Sequence, residues 1–149
     1  MVLLLEDNHK LFWDKLLLIL KELVKEKDFV KTEKKIASFK AGYGTILFFD
    51  DKKTTEDLMN KYPLYKENFK KWAIEQNGML QSNIWVGLKT KDIGASLQHY
   101  NELVEKFVYE EFNISKDWTL TAQMPFGNII EEPKSKDKIE INKRFKILK

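Results

Sequence analysis

Gly94-Ala95-Ser96-Leu97-Gln98-His99-Tyr100-Asn101 is the stretch on which the reading of this chain turns. Ile93 to Tyr100 has the look of an extended segment, and helical spacing resumes from Asn101 to Glu111. Buried strands rarely carry Ser-x-Gln-His-Tyr-Asn in a row, because every polar group taken out of water needs a partner. Two readings stand side by side: a satisfied loop with Asn101 as helix cap, or a strand-to-helix junction that points N–H groups and side chains into a cleft.

Upstream, Tyr65 to Thr90 reads as one long helix. Phe69, Trp72, Ala73, Gln76, Leu80, Ile84 and Leu88 recur at helical spacing, and Met79 and Trp85 widen the apolar arc. A helix apolar around much of its girth is buried in a core or against another subunit. Gly78 and Gly87 within it fit close packing against another backbone. Before it, Tyr43 to Phe49 is a continuous apolar run, the pattern of a central strand covered on both faces. Val2 to Leu5 reads as a short buried strand. Asp7 or Asn8 is placed to cap a helix to about Lys27, with Phe12, Leu16, Ile19, Leu20 and Leu23 on its inner face. Further helices are expected over Phe29–Lys40 and Thr55–Lys61, the latter broken by Pro63. Downstream, Trp118 to Phe126 alternates as a strand that Pro125 and Gly127 end. Ile139 to Leu148 reads as a final strand with one wet face. The class is mixed α and β (α+β), with about four strands and four or five helices, in one domain over residues 1–149.

Composition narrows the function. The 43% hydrophobic fraction excludes a disordered chain. With 26 basic and 23 acidic residues the net charge is only +3, too balanced to argue for nucleic acid. Positive charge gathers only in the basic tail, Lys134 to Lys149. The absence of cysteine excludes disulfides, thiol catalysis and Cys-based metal sites. No apolar run suits a signal sequence or a membrane span, so a cytoplasmic protein is expected.

Catalytic motifs are sparse. Gly42-Tyr43-Gly44 precedes its strand and reads as a helix stop and turn, not a dinucleotide fingerprint. His9 and His99 form no metal pair by spacing, and nothing marks Ser96 as an elbow nucleophile. The aromatics Tyr62, Tyr65, Phe69 and Trp72 read either as core and interface packing or as a flat wall for a planar ligand.

Five blocks then occur in order: Lys40-Ala-Gly-Tyr-Gly-Thr-Ile-Leu-Phe-Phe-Asp50, Tyr62-Pro-Leu-Tyr-Lys-Glu-Asn-Phe-Lys-Lys-Trp72, Gly78-Met-Leu-Gln81, Gly94 to Asn101, and Ala122-Gln-Met-Pro-Phe-Gly127. Together they resemble the nitroreductase family, in its small nitroreductase-like, fatty-acid-repression-related branch. The resemblance implies a central mixed sheet flanked by helices and a homodimer built on the long helix. It implies FMN at the subunit interface and NAD(P)H as electron donor. The acceptor would be a nitroaromatic, a quinone or a similar flat molecule, reduced by ping-pong turnover, with no nucleic acid, membrane or metal partner. It places Leu97, Gln98 and His99 at the flavin N5 and O4 edge, chiefly through backbone N–H groups. It gives Arg144 and Lys146 the FMN phosphate, and Phe69 and Trp72 are assigned to the acceptor wall. No side chain is expected to act as catalytic acid or base, since the flavin carries the chemistry.

The chain departs from the family in two ways. Relatives have a basic phosphate-binding helix and a second flavin-contacting helical region before the first strand, so an N-terminally truncated domain is expected. Glu102 stands where relatives often have Pro. The alternative expectation is a degenerate, non-catalytic nitroreductase-fold protein with weak or no FMN binding.

Overall fold

Val2–Leu5 forms strand β1, and helix α1 (Glu6–Leu23) leaves it without a loop in the computed structural model, which describes residues 1–148. No side chain caps α1. Glu6 takes the turn at φ 50°, and Glu6 and Asp7 occupy the first turn, where negative charge suits a helix start. The inner face carries His9, Phe12, Trp13, Leu16 and Leu20; Leu23, expected inside, is exposed. Helix α2 (Glu26–Lys40) packs on α1, tied by the Lys40 ammonium bridging both Asp14 carboxylate oxygens at 2.6 and 2.7 Å. It stops where Gly42 approaches the sheet: a Cβ there would lie 2.9 Å from the Phe126 carbonyl oxygen.

Strand β2 (Gly44–Asp51) is buried on both faces over most of its length. Helix α3 (Lys52–Lys61) follows directly. The Asp51 carboxylate caps it, accepting from the Lys53 and Thr54 amides. A 3-10 turn at Pro63–Tyr65 leads into the long helix α4 (Lys66–Lys89). After it come β3 (Ile93–Ala95), α5 (Asn101–Glu111) and β4 (Trp118–Asn128). The sheet order is β1-β2-β4-β3.

Every pairing in this sheet is antiparallel, whereas a mixed sheet was expected. Helical connections do join neighbours, β1 to β2 through α1 and α2 and β3 to β4 through α5, but each returns the chain in the opposite direction, so no parallel pair forms among the described strands. One core, with Phe12, Trp13, Leu16, Leu47, Val104 and Val108, lies under α1, α2 and α5. The other face carries Phe48, Ala122 and Met124, packed against Ile84, Leu88 and Leu97.

Helix α4 touches this second core only through its C-terminal half. Its buried positions are the amides Asn77 and Gln81, while Ile74, Met79, Trp85 and Val86 are exposed by 76, 61, 40 and 61%. A Cβ at Gly78 or Gly87 would meet nothing within 4 Å. The close backbone packing expected at these glycines is not found among the described residues of this chain.

Two endings differ from expectation. Strand β4 runs through Pro125 and Gly127 to Asn128. The Pro125 carbonyl accepts from the Ser96 amide, so its missing N–H faces the short edge strand and not β2. The tail forms no final strand: a 3-10 turn at Ile141–Lys143 is its only regular element among the described residues. A strand exists only where a neighbour takes its N–H and C=O groups, and no described strand pairs with the tail. The expected last residue of the basic tail, Lys149, lies outside the described residues.

Candidate functional site: a donor edge beside an apolar cleft

Beyond Ala95 the chain stays extended along β4. The Ser96 amide donates to the Pro125 carbonyl at 3.1 Å, and the Gln98 amide donates to the Gln123 carbonyl at 2.7 Å. Backbone groups of an extended strand alternate sides. Leu97 and His99 therefore turn their N–H groups to the open edge, about 7 Å apart at the usual strand rise. Neither has a hydrogen-bond partner among the described residues.

This corrects one expected donor. The Gln98 backbone N–H is taken by β4, and its side-chain amide donates to the Ser96 hydroxyl at 2.7 Å. Leu97 and Gln98 are half-buried, with Leu97 rooted in the second core; His99 is exposed. Asn101 does not cap α5. It turns inward, donating to the Thr121 carbonyl at 2.9 Å and accepting from the Gln123 side-chain amide at 2.6 Å. The Gln123 side-chain oxygen accepts from the Tyr100 amide at 2.8 Å.

A cleft of about 970 Å³ opens next to this edge, sharing Gly94 to Ser96 with it, and it also takes in Tyr43, Trp85 and Phe126. A smaller recess of about 360 Å³ holds the expected acceptor wall, Phe69 and Trp72, with Asp50 opposite. The two rings pack edge to face, 5.4 Å between centroids. Burial, and then the neighbouring Asp51 charge, lift the Asp50 carboxyl above its ordinary value. Within one chain the recess and the donor edge are separate. The edge packs near Ile84 and Leu88, roughly 18 Å along α4 from Trp72 at the helical rise.

Arg144 and Lys146 are exposed in the unpaired tail and make no ion pair among the described residues. The structure does not bring them to the donor edge. Their expected placement on one strand face is corrected with the strand itself: Arg144 lies in the chain leaving the 3-10 turn. Among the described residues no group of His, Asp and Glu is arranged to hold a metal, and no helix is long and apolar enough to cross a membrane.

Sequence reasoning missed Gln123, which reads simply as one position of an alternating strand. The signal in the sequence was an amide side chain between the apolar Ala122 and Met124 of a strand; the fold buries it fully, where it must find partners. It also missed His9. That ring is buried, with Nδ1 2.8 Å from the Thr45 hydroxyl and Nε2 donating to the Lys40 carbonyl at 3.1 Å.

With the geometry in place, comparison with known proteins is informative. Residues 2–128 match the model of the nitroreductase family. The chain is 32% identical to HBN1 of Saccharomyces cerevisiae over 140 residues, 93% of this chain and 68% of that protein. It is 30% identical to the nitroreductase FRM2 of the same yeast, over 85% of this chain but only 61% of that protein. The chain thus spans about two thirds of the length of these curated relatives. Among solved structures, the nitroreductase CinD of Lactococcus lactis in complex with chloramphenicol superposes at TM-score 0.89 with 32% identity, over 99% of this chain and 75% of that one. The same protein has also been solved with 4-nitrophenol, at TM-score 0.88. On the family match and these relatives together, the chain belongs to the nitroreductase family.

Proposed function

We propose that this chain is, or forms part of, an FMN-dependent oxidoreductase that passes electrons from NAD(P)H to flat acceptors such as nitroaromatics and quinones. The observation that carries the reading is the pair of outward, unpartnered N–H groups at Leu97 and His99 on an open edge. A flavin ring presents acceptor atoms along one edge, so two aligned donors fit the ring end of FMN. The exposed tail does not by itself assemble the phosphate end; Arg144 and Lys146 fill that role only once the tail is folded against the site.

Bound flavin would supply the two-electron chemistry. The chain's own work is binding and polarity. The Leu97 and His99 donors favour negative charge on the ring edge they face, as fixed dipoles do wherever charge develops. Gln98 spends its backbone N–H on β4 and contributes through its half-buried side chain. Donor and acceptor would use the same open face in turn, which is the ping-pong order. Chloramphenicol and 4-nitrophenol, held by CinD, support a nitroaromatic acceptor.

A homodimer completes this proposal. The exposed apolar face of α4 and the open surface at Gly78 and Gly87 suit a second copy. Phe69 and Trp72 act as acceptor wall only if they reach the donor edge of that copy, because one chain holds them apart. A cytoplasmic location follows from the same proposal, since that compartment supplies NAD(P)H.

The test is direct. Purified protein should be yellow, release FMN on denaturation and elute as a dimer. Colourless protein that takes up no added FMN would overturn the reading and leave a non-catalytic nitroreductase-fold protein in its place.

A further inference from the structure

We propose that Gln123, acting with Asn101, is the positioning residue of the donor edge: it decides that Leu97 and His99, and not Gln98, offer their N–H groups to the open side. The inference rests on the flavin reading for its functional consequence, but its geometry stands without it.

Regular pairing between β3 and β4 covers only Ile93 to Ala95. Past that point the ladder weakens, because Pro125 accepts from Ser96 and has no N–H to return. The next three residues would be free to slip. A slip of one residue exchanges inward and outward groups along an extended segment, which would turn the Gln98 donor out and the Leu97 and His99 donors in.

Gln123 prevents this by engaging three residues at once. Its backbone exchanges two hydrogen bonds with Gln98, at 2.7 and 2.9 Å. Its side-chain oxygen holds the Tyr100 amide at 2.8 Å, and its side-chain nitrogen holds the Asn101 oxygen at 2.6 Å. Asn101 anchors the far end by donating to the Thr121 carbonyl at 2.9 Å. With 98 and 100 pinned inward, 97 and 99 face out. Gln123 is fully buried between Ala122 and Met124, so its amide is isolated from water and the bonds persist. Only a side chain with one acceptor and one donor at this reach does both jobs; a carboxylate would face the Asn101 oxygen with no proton to give.

The experiment compares wild type, Gln123→Met and Asn101→Ala with a control, Ile36→Val, placed in the other core to lose stability without touching the edge. Three quantities are read: amide hydrogen exchange at Leu97 to Tyr100, the Kd for FMN, and the midpoint potential of bound FMN. In Gln123→Met, which removes the acceptor of the Tyr100 amide together with the donor to Asn101, Tyr100 exchange should rise about tenfold or more and FMN affinity should fall about tenfold, the size expected for one buried hydrogen bond. The flavin potential should shift in the same variant, and the control should match wild type in all three. If Gln123→Met fails to fold, Asn101→Ala, half-exposed at the start of α5, carries the test with the same directions. Unchanged Tyr100 protection, affinity and potential would overturn the proposal, as would equal changes in the control. Should wild type bind no FMN, the flavin reading falls by itself, and amide protection still decides the clamp: unchanged protection in both variants overturns it.

Discussion

His9 is buried with both ring nitrogens engaged, and its chemistry fixes the neighbouring protons. The Lys40 carbonyl can only accept, so Nε2 carries the hydrogen, and Nδ1 accepts from the Thr45 hydroxyl. That hydroxyl in turn accepts from the Trp13 indole N–H at 2.9 Å. Thr45→Val keeps the shape but strands a ring nitrogen and an indole N–H in a dry core. It should cost about 1–3 kcal/mol for each group left unsatisfied, read from urea denaturation. Burial, only partly offset by the Lys40 and Gly42 backbone, depresses the His9 pKa below its ordinary 6.5. The unfolded chain then binds the proton more readily, so stability is full above 6.5 and falls as pH drops from there toward the depressed folded value. Denaturation midpoints measured between about pH 7 and 5 should show this slope, and His9→Gln should flatten it. No sequence pattern flagged this triad, because Thr45 and His9 are 36 residues apart and meet only through the α1–sheet contact.

Element boundaries follow local chemistry where a cap or breaker is present. Asp51 begins α3 directly at the end of β2 through a bond to the Lys53 amide at 3.1 Å. Asp51→Ala should lose about 1 kcal/mol, and Asp51→Asn should retain nearly all of it, measured by thermal denaturation. The break at Pro63 is where the sequence places it, and α4 starts and stops within one residue of its expected Tyr65–Thr90 span. The ends of β4 and the tail were misread for one reason. Strand endings depend on neighbours: Pro125 is tolerated because its missing N–H faces an edge, and the alternating tail forms no strand among the described residues because no described strand pairs with it. Gly44 shows the same dependence. A Cβ there would press within 2.7 Å of a Leu5 methyl and 2.9 Å of the Leu4 carbonyl, so Gly44→Ala should destabilise by about 1–3 kcal/mol.

At the scale of the whole molecule, α4 has one face docked on the sheet and another left open. It docks on the sheet through Asn77, which donates to the Phe49 carbonyl at 2.9 Å and is steadied by Gln81 one turn on, and through Ile84 and Leu88. Among its exposed residues are the apolar Ile74, Met79, Trp85 and Val86. Gly78→Ala and Gly87→Ala meet nothing in this chain, so each should raise the stability of the isolated subunit by about 0.5–1 kcal/mol. If a second copy packs at these glycines as proposed, the same changes weaken the dimer, and sedimentation at a series of concentrations separates the two effects. On the proposed dimer, Val86→Lys, on the exposed face, should shift the protein to monomer while leaving its helix content unchanged by circular dichroism.

Local periodicity determined the helices, the central strand and the mixed α and β class, because amphipathic spacing is set residue by residue before any contact forms. Ordered motifs determined the family, and Gly94 to Asn101 was marked as the place where polar groups need an explanation. Only the tertiary structure decided which of those groups point outward. That choice is made by Gln123 and Thr121, some 20 residues away in sequence, through hydrogen bonds that exist only once β4 lies beside the segment. The all-antiparallel sheet, the unpaired tail and the distance between the Phe69–Trp72 recess and the donor edge were likewise decided by packing. Each depends on which element comes to lie next to which, and no local pattern carries that information.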